Sequence, residues 1–378
     1  MTRICYFGTY RDYYPRNTIQ IRALRSAGFE VLECHRPLLA ATFDKTGSLF
    51  RPLALAGAAL AAAATYALLT IRYFLVKPHD IIVVGYIGHW DVLVAKALAL
   101  LYGRTLVFDA FVSIHDSVVN DRRLLSPSSL AARLLFRYER FVYGLCDLIL
   151  MDTHEHARYV SDTFAVPLDR IATIPLGVDE DVFFPKAAEW PSSCFTVLHY
   201  SYCAPLHGAL FVVEAAAALA GRADIRFALV GDGQQRREAQ AAASARGLSS
   251  VAFTPIMPLQ ELAQRIAQAD VCLGVFGTSE KVGRVIPNKV LQSMAMKKPV
   301  VTARSAAVAR YFTDKIHLLY CDAGSGAAIA AAVAALKDDH ALRERLAQEG
   351  YRRWRELFSG ASVKTALEKA LSRFSGPV

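Results

Sequence analysis

Short apolar runs recur along the chain. Each leads into a glycine or a polar turn, and then into a longer stretch with helical spacing. In the first half, the runs at 3–7, 29–32, 80–85, 105–109, 147–151 and 170–174 predict strands. Helices are predicted over 15–27, from about His89, over 126–143, and after an Asp152-Thr153 cap. The second half repeats the rhythm. Strands are predicted at 195–200, 225–230, 251–254, 271–275, 299–301 and 317–320. Helices are predicted at 209–220, 234–246, 258–269 and after a Pro-Asn-Lys turn at 287–289. Residues 323–370 read as nearly all helical, with breaks near Asp338 and Phe358. Strand and helix alternating in this way predict doubly wound α/β domains.

At 378 residues the chain is long for one domain. A polar stretch, KAAEWPSS, follows the last strand of the first half and sets the boundary. The prediction is a domain over 1–185, a second over 186–358 and a final helix over 359–378 packing back toward the first. Two consecutive α/β domains of similar size imply a cleft between them.

One stretch breaks the rhythm. Residues 52–70 carry no charge, and nine of these nineteen residues are alanine. The length would reach across a bilayer. The flanking strands belong to one sheet, however, so a crossing would put them on opposite sides of the membrane. Two readings remain: a packed helix, or a helix lying in a membrane interface. Arg51, Arg72, Tyr73, Phe74 and Lys77 supply the basic and aromatic flanks of such an anchor, so peripheral membrane contact through 52–75 stands beside simple core packing.

Hydrophobic residues make up 54% of the chain and charged residues 20%, which excludes a disordered protein. The net charge of +9 suits an anionic membrane face or phosphorylated ligands. No Lys/Arg block or RNA-binding motif points to nucleic acid. The seven cysteines are scattered and never spaced C-x-x-C, which predicts reduced thiols and neither disulfides nor zinc. A strand beginning at residue 3 predicts no signal peptide. The expected location is the cytoplasm, or the inner face of the plasma membrane.

In an open parallel sheet, ligands gather outside the carboxyl ends of the strands. Gly8, Gly85, Asp109 and the loop bearing His115 and Asp116 fall there. His115 is the side chain most expected to touch a substrate; the competing reading is an exposed loop histidine. No G-x-G-x-x-G follows the first strand, so a dinucleotide fingerprint is absent. In the second half, GTSEKVGRVIPNKVLQSMAMKKPVVT at 277–302 joins a basic loop to a helix start, where a phosphate would bind well. The acids Asp179, Glu180 and Asp181 read as solvated linker residues, and no D-x-D is placed to hold a metal.

The order of motifs resembles the retaining glycosyltransferases of family 4, with the GT-B fold. The resemblance spans essentially the whole chain. PLGVDEDVFFP at 175–185 is similar to the family's interdomain linker, and VGDGQQR at 230–236 to its nucleotide loop. ELAQRIAQADVCLGVF at 261–276 and KVLQSMAMKKPVVT at 289–302 keep the family's order and spacing. The departures are specific. A Glu-x7-Glu pair common in the family would fall on Arg284 and Gln292, so both carboxylates are missing. The loop SYCAPLHG puts His207, before Gly208, where a lysine is usual.

The resemblance implies two facing Rossmann-like domains with a cleft between them and a helical tail. It implies transfer of a sugar from a nucleotide-sugar to a hydroxyl acceptor, with retention. The 52–75 segment, the basic helix near Arg133 and Arg140 and the positive charge fit a lipid-linked acceptor, and the lack of a placed D-x-D predicts no metal or other cofactor. Lys289, Arg284, His207 and the turn at Asn288 would meet the diphosphate. Gly231 and Gly233, with Asp232 shaping the turn, would close on the nucleotide, and Gln292 would hold the ribose. His115 would contact the donor sugar or leaving group, with Gly8 and Thr9 near the diphosphate and acceptor. Asp109 and Asp116 would lie on the acceptor side, or brace the loop. The alternatives are a non-catalytic relative that binds nucleotide-sugar or a partner, and a GT-B nucleotide-sugar epimerase.

Overall fold

In a computed structural model, residues 2–12, 14–37, 52–188 and 194–374 are described. The first sheet contains β1 (Arg3–Gly8), β2 (Glu30–His35), β3 (Ile81–Val84), β4 (Thr105–Phe111), β5 (Leu148–Met151) and β6 (Ile171–Thr173). Its order is β2-β1-β3-β4-β5-β6, and every pairing is parallel. The helices are α1 (Pro15–Ser26), α2 (Pro52–Phe74), α3 (His89–Tyr102), α4 (Leu130–Leu145) and α5 (His154–Phe164). β3 and β5 are buried at every position, the condition that makes parallel strands read as continuous apolar runs.

The second sheet contains β7 (Phe195–Ser201), β8 (Ile225–Gly231), β9 (Val251–Thr254), β10 (Val271–Leu273), β11 (Val300–Ala303) and β12 (Leu319–Cys321). Its order is β12-β11-β10-β7-β8-β9, again parallel. With it come α6 (Ala209–Ala218), α7 (Arg236–Ala245), α8 (Leu259–Gln268), α9 (Asn288–Ala295) and α10 (Ala306–Ala309), then α11 (Gly326–Asp338), α12 (His340–Phe358) and α13 (Gly360–Leu371). Strand order reverses between β1 and β3 in one sheet and between β7 and β10 in the other. These reversals are where doubly wound sheets open a crevice for ligand.

Two boundaries differ from expectation for local reasons. The helix expected over 126–143 begins at Leu130, because Ser129 caps it by accepting from the Ala132 N–H. The last strand begins at Leu319 and not at 317, because the His317 Nδ1 accepts from the Thr313 N–H and holds a turn there. The expected domain boundary at 185/186 runs into 189–193, which lie outside the described residues, as do 375–378.

One cluster of buried apolar side chains passes between the sheets. Phe111, Leu176, Val178 and Phe183 share it with Leu198, Tyr200, Ile286, Val290 and Phe358. The chain also returns to the first domain at its end. Val363, Leu367 and Leu371 of α13 pack with Ile19 and Leu24 of α1. Gly177 lies in this contact, where a Cβ would come within 2.6 Å of Ile19. The acids expected to be solvated in the linker are engaged: Arg22 reaches Asp179 at 3.0 Å and Asp181 at 2.7 Å, and Glu180 accepts from the Gly360 N–H at 2.6 Å.

α2 satisfies the packed-helix reading along one face, where Thr65, Leu69 and Tyr73 are buried. Its opposite face is apolar and exposed at Leu60, Leu68, Ile71 and Phe74, with Leu75 just beyond. Among the described residues, no helix is long and apolar enough to cross a membrane. Arg51 and the side chains of 52–56 and 58 lie outside the described residues.

Asp109, expected to face an acceptor, does not. It is fully buried and accepts from the Arg16 Nε at 3.0 Å and Nη2 at 2.9 Å, while Arg16 also donates to the Ile174 carbonyl. The pair ties α1 to β4 and to the end of the first sheet. Breaking it leaves an unmatched buried guanidinium. Asp109→Ala is expected to cost about 3–5 kcal/mol in denaturant unfolding, and a loss under about 1 kcal/mol would show that Arg16 finds other compensation.

Candidate functional site

The carboxyl ends of the two sheets meet. On the first domain, Tyr86 follows β3 and stacks edge-on against Phe111 at 5.0 Å and obliquely against Tyr14 at 5.1 Å. Both tyrosines pack on the cluster that holds Tyr200 of β7. The switch point of the second sheet carries the charged site.

Lys289 is the second residue of α9 and is 5% exposed. Its Nζ lies 3.4 Å from the His199 Nε2 on β7 and 6.0 Å from the Tyr200 ring centre. The Tyr200 hydroxyl donates to the Lys289 carbonyl at 3.0 Å and to the Gln292 side-chain oxygen at 3.2 Å, so β7 fixes the first turn of α9. No carboxylate pairs with Lys289 among the described residues. Burial therefore lowers its pKa to about 7, with the Cys203 thiol pulling weakly the other way. His199 and His207 are both held well below the ordinary histidine value, by burial first and then by the Lys289 charge. The His207 Nδ1 is buried and has no partner. No side chain caps α9 at Pro287, so its amino end is open beside these groups, and Asn288 is its half-buried first residue.

The two loops above this cluster lock each other. Gly231 and Gly233 were expected to close on a nucleotide; their near neighbours are instead the chain's own Ser201 and Tyr202 carbonyls, and a Cβ at either would collide with them. Both have φ above +130°. Their role is to let the 231–233 turn lie against the 201–203 loop. Asp232 accepts from the Gly233 N–H at 2.8 Å, shaping that turn. Gly208, in the left-handed region at φ +69°, ends the short turn at His207 and opens α6 beside Phe276.

Arg284 behaves differently from the expectation that it meets the diphosphate. It reaches across to the first domain, donating to Asp116 at 2.7 Å and stacking over Tyr159 at 4.3 Å. The Thr153 hydroxyl donates to the Arg284 carbonyl, and the Lys281 Nζ donates to Ser117. Ser279 donates to Asp121 at 2.9 Å. Residues 279–284 thus form a clasp with 116–121, and Asp116 belongs to the clasp more than to an acceptor face. Burial lowers the Lys281 pKa, and Asp116, Asp121 and Asp152 oppose that drop.

His115 is half-buried at the start of the helical turn before this clasp. Its N–H donates to Glu139 at 2.9 Å, and its ring packs at 5.5 Å from Phe136. Its Nδ1 is buried without a partner, so it is not an exposed loop histidine. Glu139 anchors the region. Burial pushes its carboxyl up, but His89, the His115 N–H and Tyr143 more than offset this and leave it below the usual range.

Gly8 and Thr9 sit over Asp91, which the sequence reading missed. The Thr9 N–H donates to Asp91 at 2.8 Å, the Thr9 hydroxyl at 3.0 Å and the Tyr66 hydroxyl at 2.9 Å. A Cβ at Gly8 would strike the same carboxylate. The signal that could have found Asp91 is an acid in the first turn of a helix that follows Gly85-x-x-Gly88. His199 and Asp121 were also missed, and nothing in their local sequence marks them; Lys281 stood in the basic loop, but its partner Ser117 lies on the first domain.

With this geometry in view, the comparisons with known proteins become informative. Residues 20–182 match the family described as Glycosyltransferase Family 4, and residues 195–339 match Glycosyl transferases group 1. The chain belongs to the family 4, group 1 glycosyltransferases. A D-inositol 3-phosphate glycosyltransferase of Acidothermus cellulolyticus is 28% identical over 53% of this chain and 48% of that protein. A protein of the same name from Thermomonospora curvata is 28% identical over 61% of this chain and 58% of that protein. The chain thus spans about half the length of the curated relatives it matches. Among solved structures, sucrose-phosphate synthase of Thermosynechococcus elongatus aligns with a TM-score of 0.73 at 16% identity, covering 99% of both chains. Anabaena HepE, solved with UDP and glucose, aligns with a TM-score of 0.70 at 14% identity, covering 98% of this chain and 99% of that one. The fold is GT-B.

The clasp can be tested by a double-mutant cycle. Asp116→Ala and Arg284→Ala should each destabilise, and together by less than their sum, with a coupling of about 0.5–3 kcal/mol in chemical unfolding. Additive losses would mean that the two side chains do not act as a pair.

Proposed function

We propose that this protein transfers a sugar from a nucleotide-sugar to a hydroxyl acceptor, with retention at the anomeric carbon. The observation that carries the proposal is the buried Lys289 ammonium with no carboxylate partner, set at the open amino end of α9 and at the switch point of the second sheet. That is a receptor for a diphosphate. As the anomeric C–O bond breaks, its electron pair goes to the diphosphate oxygen. Fixed positive charge and helix N–H groups stabilise that oxygen without rearranging. The acceptor oxygen bonds to the same carbon and gives its proton to the departing diphosphate oxygen. Gln292 meets the ribose and the 231–236 loop the base, while Thr9 and His115 serve the sugar and acceptor from the first domain. The charge that a metal would otherwise supply comes from Lys289 and the free N–H groups of α9, so turnover should survive a chelator. The UDP in the HepE structure makes UDP-sugars the first donors to test.

The exposed apolar face of α2 supports an acceptor that lies in a membrane. Arg72 and Lys77 are exposed at its carboxyl end, as an anionic headgroup layer requires. The replaced Glu-x7-Glu carboxylates favour a second reading, a relative that binds nucleotide-sugar without turnover.

Release of nucleoside diphosphate from a panel of UDP-, GDP- and ADP-sugars separates the two readings. Turnover should appear with one donor class, be unchanged by EDTA, and fall about 10²–10³-fold in Lys289→Ala. Binding with no release from any donor would sink the transferase reading. Separately, the protein should sediment with anionic vesicles, and the triple variant Leu60→Ser, Leu68→Ser, Ile71→Ser should stay in the supernatant. Equal pelleting of both proteins would remove α2 as the contact.

A further inference from the structure

We propose that His199 and Lys289 form a proton-linked receptor, so that binding of the nucleoside diphosphate takes up a proton at Lys289. The inference rests on the reading of this site as the diphosphate pocket.

Lys289 is buried, yet its hydrogen-bond partner is the His199 imidazole and not an acid. The groups facing it are His199 and Tyr200 from β7, and Cys203 and His207 from the loop that follows. Arg122 and Lys281, from opposite sides of the clasp, add positive charge around His207. The acids of the clasp, Asp116 and Asp121, are bound to Arg284 and Ser279. Cys203 favours the proton only against the larger effect of burial, and among the described residues no carboxylate therefore holds it on Lys289. Its pKa of about 7 follows from burial. A diphosphate against this group supplies the missing negative charge and raises that pKa, since an opposite charge within a few ångströms favours the charged form. His199 serves as a positioning residue. Neutral itself, it can accept from the ammonium or donate to the amine, and so holds Lys289 in place in either state.

Linkage fixes the sign. Below the free pKa, Lys289 already carries its proton and binding takes up none. Above it, binding must recruit one, so affinity should fall about tenfold per pH unit until the bound pKa is reached. The experiment is calorimetric titration of the full chain with UDP and with GDP, in pairs of buffers of different ionisation enthalpy, at pH 6 and pH 8. At pH 8 the nucleotide is fully ionised, because its second phosphate pKa is about 6, so uptake there belongs to the protein. The expected result is uptake approaching one proton at pH 8, and at pH 6 no uptake by the protein but release of up to about half a proton from the nucleotide itself. Lys289→Arg keeps its charge at every pH, so its binding should be independent of pH above 7 and take up no proton. Binding by the native chain without uptake at pH 8 would overturn the inference and leave the diphosphate pocket standing. So would unchanged uptake in Lys289→Arg, since another group would then be titrating. If neither nucleotide binds, the donor-site reading falls and takes this one with it.

Discussion

A cation taken out of water must find a negative partner or give up its proton. Much of this molecule is arranged around a lysine for which the described residues provide no such partner. Lys289 is held by the first turn of α9, which the Tyr200 hydroxyl pins to β7. The loop over it is pressed down by Gly231 and Gly233, positions where backbone touches backbone and no side chain fits. The two histidines beside it are pushed toward neutrality, so they contribute hydrogen-bonding groups without adding repulsion. A site built this way is unfavourable when empty and is relieved when an anion enters, so some folding stability is given up for affinity.

The clasp explains where the nearby acids went. Asp116 and Asp121 point across the domain boundary to Arg284 and Ser279, and Asp152, just before α5, bonds to His156 in its first turn. The two positions where the family commonly carries glutamates have become an arginine and a glutamine. The arginine finds its carboxylate on the opposite domain. The contact between the two domains is therefore electrostatic as well as steric.

The fold was legible because its signal is simple. Strands buried on both faces are continuous apolar runs, glycine or a polar turn follows each, and the order of motifs fixes the pairing of domains. The charged site was half legible. Lys289 could be found because proline and a helix start stand next to it in sequence. His199 could not, because a histidine inside the run FTVLHY looks like any residue of a strand; only the neighbouring strand and helix make it a partner. Asp109 misled for a related reason. A carboxylate at a strand end suggests a ligand, and only the fold brings Arg16 from α1 to meet it. Arg284 misled because its partner lies on the other domain, at a distance no local pattern records. The glycines were read correctly as close approaches, but the approaching group is the protein itself.

The return of α13 to α1 has a mechanical consequence. The backbone passes between the domains twice, once after β6 and again at Ser359–Gly360, and Glu180 bonds directly to the Gly360 N–H. A body joined to another by one tether can swivel freely. Joined at two neighbouring points that are bonded to each other, it keeps one easy rotation, about the line through them. Any opening of the crevice therefore has its pivot at this bonded pair of crossings.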